Sequence, residues 1–124
     1  MKIATIITRV LLGLMFVVFG LNIFLHFIPM PPMPDTPATR FGKILMESHY
    51  MLVIGALQVI GGALLLIGRF VPLGLVLLGP VIVNILLFHI FLEPSNFAPG
   101  LVAALLALFL LWRYRANFAG LVQP

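Results

Sequence analysis

The chain contains no cysteine and very little acid: its 124 residues include three Asp and Glu against seven Lys and Arg, and charged residues make up only 8%. Without cysteine there is no disulfide, no thiol relay and no thiolate-bound zinc or iron–sulfur centre, which excludes the disulfide-generating class of small four-helix redox proteins. The shortage of charge excludes a water-soluble fold. Soluble domains are about 25% charged and about 45–50% apolar, whereas here hydrophobic residues reach 63% and the mean hydropathy is +1.26. Folded in water, such a chain could not cover itself with polar groups. The net charge of +4 comes from bases scattered at segment ends, without the clustered stripe that a nucleic-acid surface requires. The expectation is one integral membrane domain over residues 1–124.

Crossing the hydrocarbon of a bilayer takes about 20 apolar residues in a helix, and only helices or closed barrels satisfy their backbone there. Four stretches qualify or nearly do: 6–28, 44–67, 71–92 and 98–114. Lys2 ahead of the first run resembles a signal-peptide start. The run is too long for one, carries Arg9 and lacks a small-residue cleavage site, so it reads as a retained helix. The segment "PMPPMPDTPATRFGK" at 29–43 is proline-rich and reads as an extended or turning loop. "GRFVP" at 68–72 and "EPSNFAP" at 93–99 are short connections, which force antiparallel neighbours. The expected fold is all-α, an integral membrane antiparallel four-helix bundle. Gly13 and Gly20, and Gly55 and Gly62, are each a heptad apart and mark close helix approach. Phe41, Tyr50, Trp112 and Tyr114 read as interfacial anchors.

With the N-terminus inside, Lys2, Arg9, Arg69, Arg113 and Arg115 are cytoplasmic, and only Arg40 and Lys43 lie outside with Asp35, Glu47 and Glu93. Positive residues favour the cytoplasmic side, so both termini are expected there, in a bacterial cytoplasmic (inner) membrane. The lipid bilayer is then the principal partner.

Polar residues in such a chain need a reason. From a rise of about 1.5 Å per residue, Asn22 lies roughly 9 Å and His26 about 3 Å inside the outer end of the first span. Asn84 lies about 12 Å and His89 about 5 Å inside the same end of the third span. Glu47 and His49 fall in the first two turns of the second. Asn22, His26, Glu47, His49, Asn84 and His89 are therefore expected to share the outer half of the bundle, while Gln58 stands apart, about 21 Å from that end. Each has a structural reading: interhelical hydrogen bonds for the asparagines, worth about 0.6 kcal/mol each, headgroup contact for the histidines, and a wet helix start for Glu47 and His49. Together they point to a ligand layer, because intramembrane polar groups are functional by default. No catalytic residue and no metal-ligand set is assigned.

The stretches "RVLLGLMFVVFGLNIFLHFIPMPPMP" (9–34) and "LQVIGGALLLIGRFVPLGLVLLGPVIVNILLFHIFL" (57–92), with the Trp-x-Tyr-Arg tail at 112–115, resemble the DoxX family of bacterial membrane proteins over nearly the whole chain. The resemblance implies a four-helix transmembrane bundle and an association with membrane redox work, including thiosulfate:quinone oxidoreductase subunits and oxidative-stress complexes. Where many relatives carry an acid ahead of the Gly-Gly pair, this chain has Gln58, so the resemblance brings no proton relay there.

Three functions follow as expectations. The first is a redox-associated subunit whose polar layer binds a quinone-like headgroup: His26 or His89 would donate to a quinone oxygen, Asn22 and Asn84 would orient it, and Glu47 would exchange protons. It would need a bound quinone or haem, or a membrane or soluble redox partner, to move electrons. The second is a non-catalytic scaffold or assembly factor, compatible with a homo-oligomer. The third, a small four-helix transporter, lacks a mid-membrane carboxylate among Asp35, Glu47 and Glu93.

Overall fold

A computed structural model describes residues 2–26, 34–94 and 97–122. Among these the protein is helical throughout, with no strand. The helices are α1 (Lys2–Leu25), α2 (Pro37–Glu47), α3 (Tyr50–Ile67), α4 (Val71–Phe91) and α5 (Ala98–Arg113), followed by a 3-10 helix (Arg115–Val122). By length and apolarity α1, α3 and α4 can each cross a membrane; α5 qualifies as a fourth if it is counted together with the 3-10 helix, which meets it at 83°.

α1 begins four residues earlier than its apolar run predicts and stops at Leu25. His26 ends it in the left-handed region (φ 52°), its N–H donating to the Asn22 carbonyl at 2.8 Å. This is a C-terminal cap of the kind Gly, Asn or His tolerates. Asn22 is therefore in the last turn, about 5 Å from the helix end, and His26 lies off the helix. Residues 27 and 28 of the expected span lie outside the described residues.

The proline-rich segment contains a helix where an extended loop is expected. Pro37 occupies its first turn, where a missing N–H costs nothing. Thr36 caps it in a reciprocal box: the Thr39 N–H donates to Thr36 Oγ1 at 3.3 Å and the Thr36 N–H donates to Thr39 Oγ1 at 2.9 Å. α2 is amphipathic. Ala38 is buried, Phe41 packs against Phe88 of α4 with ring centroids 5.9 Å apart, and Lys43 pairs with Glu47 at 3.8 Å on the exposed side. Residues 29–33 of that segment lie outside the described residues.

The expected span 44–67 is consequently two helices. The break falls at Ser48 and His49, where His49 takes φ 64° and α3 restarts at Tyr50. The other expected spans agree with α4 and α5 to within a residue at each end.

α1 packs on α3, α3 on α4, α4 on α5, and α5 back on α1, while α2 rests on α3. Each of the four long helices contributes one fully buried leucine: Leu12, Leu65, Leu78 and Leu110. The closest approach is between α1 and α3. A Cβ added to Gly13 would lie 2.8 Å from the Gly62 carbonyl oxygen, and one added to Gly62 would lie 2.8 Å from the Gly13 carbonyl oxygen. Large apolar side chains cover the outside, among them Ile7, Phe19, Val53, Ile60, Val83 and Leu105. An apolar exterior of this extent suits helices long and apolar enough to cross a membrane.

Candidate functional site

The last turn of α4 carries the most structured of the expected site residues. His89 is half-buried, and its Nδ1 lies 3.2 Å from the Glu93 carbonyl oxygen. A carbonyl only accepts, so Nδ1 carries the hydrogen, and in the neutral ring Nε2 is left as an acceptor. The ring stands edge-on to Phe88, with centroids 5.2 Å apart at 83°. Phe88 in turn contacts Phe41, so α2 helps hold the His89 neighbourhood. Gly100 lets the first turn of α5 close on this point, since a Cβ there would be 3.0 Å from Ile85 Cγ2 and 3.4 Å from His89 Cδ2. Beside the ring is a groove of about 310 Å³ lined by Leu86, His89, Ile90, Pro94, Phe97 and Leu101. Among the described residues, His89 is the one polar side chain in that wall.

The other five residues are placed differently. Asn22 is half-buried on α1. His26 and His49 are exposed at left-handed positions outside the helices. Glu47 ends α2, exposed and paired with Lys43, so neither it nor His49 opens a membrane span. Asn84 faces outward from α4, and its Nδ2 donates to the Pro80 carbonyl at 2.8 Å. Its amide is engaged with its own helix. Gln58 is buried on α3, its Cβ facing Gly20 of α1. Among the described residues no group of three His, Asp or Glu side chains could hold a metal ion.

At the opposite end lies a second hollow, also about 310 Å³, lined by Lys2, Thr5, Ile6, Arg9, Arg113 and Tyr114. The Arg113 Nε donates to Thr5 Oγ1 at 2.9 Å, joining α5 to α1. Arg9 lies against the turn after α3. Gly68 there has φ 79°, and a Cβ on it would meet the Arg9 guanidinium carbon at 2.9 Å. The Arg9 Nε is buried without a hydrogen-bond partner. Counting bases by side accounts for these cations as topology signals and passes over their grouping. The available signal was Arg9 itself, two turns inside an otherwise apolar helix.

Compared with family models, with curated proteins and with solved structures, the chain finds no match.

Proposed function

We propose that the chain is a DoxX-like protein of the bacterial cytoplasmic membrane, in which α1, α3, α4 and α5 form an antiparallel four-helix bundle with both termini cytoplasmic. Within that class, it acts as a redox-associated subunit that binds the headgroup of a quinone-like molecule in the groove at His89. The observation that carries this reading is an open apolar groove whose one polar side chain among the described residues is His89, with its Nδ1 already engaged by the Glu93 carbonyl. The remaining ring nitrogen is left for a ligand: Nε2 would accept from a quinol hydroxyl, and in the protonated ring it would donate to a quinone carbonyl. Phe97 and Leu101 supply apolar walls for the ring. A bound quinone would supply the electron chemistry; His89 orients its oxygen and exchanges the proton. Electrons would come from a membrane or soluble partner. Of the six residues first expected at the site, this reading keeps His89 as the ligand contact.

The test is the mass spectrum of an organic extract of protein purified in mild detergent. A quinone should accompany the native protein and fall several-fold in His89→Leu at unchanged melting temperature. Equal quinone in both, or none in either, overturns the reading.

One observation favours a second reading, a non-catalytic scaffold or assembly factor. Asn84 and Glu47 spend their polar groups within their own helices, as a purely structural bundle would. In that case extracts hold only phospholipid, and substitution at His89 changes stability alone.

A further inference from the structure

We propose that the basic hollow between α1 and α5 is a binding site for the phosphate of an anionic phospholipid in the leaflet facing that end of the bundle. It depends on membrane insertion and is independent of the groove at His89, which lies at the far end of α4.

The hollow gathers three cationic side chains, Lys2, Arg9 and Arg113, with the hydroxyls of Thr5 and Tyr114. None of the three cations has an acidic partner among the described residues. Asp35 pairs with Arg40 at 3.4 Å, Glu47 pairs with Lys43, and Glu93, the last acid in the chain, lies beyond the end of α4. That helix has 21 residues, and its length is about 30 Å. Arg113 spends its Nε on Thr5, which fixes its guanidinium and leaves the terminal nitrogens for another acceptor. Arg9 goes further: its Nε is buried with no acceptor. A buried charged donor without a partner is costly, and an oxyanion in the hollow offsets that cost through the charge shared over the whole guanidinium. The α1 N-terminus opens at the same place, and its dipole adds to the attraction for an anion.

Position decides the source of the phosphate. The hollow sits at one end of membrane-crossing helices and is open to the surface. Its own wall includes Ile6, which is exposed, and Ile3 and Ile7 of α1 and Leu111 and Trp112 of α5 are exposed around it. An acyl chain attached to the bound phosphate therefore has an apolar path along the helices. Basic pockets between transmembrane helices recognise anionic headgroups by this combination of charge and position.

The experiment is native mass spectrometry of the full chain in detergent, titrated in parallel with phosphatidylglycerol, phosphatidylcholine and inorganic phosphate. Phosphatidylglycerol should be retained in preference to phosphatidylcholine, and Arg9→Gln should weaken its retention by about fivefold, the share of one cation. Lys2→Gln, at an exposed position, should do the same, and it carries the test if Arg9→Gln does not fold. Equal retention of the two lipids, or a preference unaffected by both substitutions, overturns the proposal. Phosphate that binds alone with the same dependence on Arg9, while neither lipid is preferred, would make this a soluble-anion site and likewise overturn it.

Discussion

Gly13 and Gly79 differ in what surrounds them, and substitution should separate the two. At Gly13 a methyl group would strike the backbone carbonyl of α3 at 2.8 Å, whereas at Gly79 nothing lies within 4 Å. Gly13→Ala should destabilise by about 1–3 kcal/mol, as overpacking does. Gly79→Ala should be neutral or stabilise by up to about 1 kcal/mol, because glycine weakens a helix interior; melting temperatures in detergent read both. Asn84 gives a second residue-scale test. It faces outward from α4 and, among the described residues, bonds the carbonyl four residues back, so Asn84→Leu should leave the melting temperature unchanged or raise it. A fall of several degrees would restore Asn84 to an interhelical or ligand role. In the sequence, an asparagine amid aliphatics shows that a polar group needs a partner. It does not show that the partner is its own helix. The same limit hides Arg9, whose base counts toward orientation whether it is solvated or enclosed. The place of His89 in the last turn of α4 was legible, because its depth below the end of the apolar run fixes it there.

The long helices were legible from apolar length alone, since the bilayer sets how long a run must be and lipid leaves the backbone no alternative. α4 and α5 emerge nearly as their runs prescribe. α2 did not, because prolines weigh as breakers everywhere except in a first turn, and Thr36 and Thr39 look like ordinary loop residues until their side chains cap one another. The break at His49 was equally hidden, since Ile44, Leu45 and Met46 ahead of Glu47 and Ser48 let one apolar run be read through to the residues after it. The capping box makes an element-scale prediction. Thr36→Ala should cost about 1 kcal/mol, confined to α2, whose contacts are few and whose outer face is exposed. Hydrogen exchange should quicken across residues 37–47 and stay unchanged in α1 and α3. Acceleration in α3 as well would mean that α2 and α3 behave as one unit despite the left-handed turn between them.

At the scale of the whole molecule, charge is divided between two ends: the acids and their paired bases gather around α2 and the end of α4, the unpaired bases around the opposite rim. The proposed orientation puts the unpaired bases in the cytoplasm. Because the chain has no cysteine, an introduced one is a unique label. Ser48→Cys should react in intact cells with a membrane-impermeant maleimide, and Ala116→Cys only after the membrane is opened; the reverse pattern would invert the topology. The ring of helix contacts also has an order in time. α1 is made before α5, and the Arg113–Thr5 bond joins residues 108 positions apart. The basic hollow has walls from both helices, so on the proposed reading a nascent chain lacks the site until α5 has been made and has found α1. Lipid retained at that rim would thus report that α5 has closed on α1 and distinguish such a molecule from one in which the two helices are still apart.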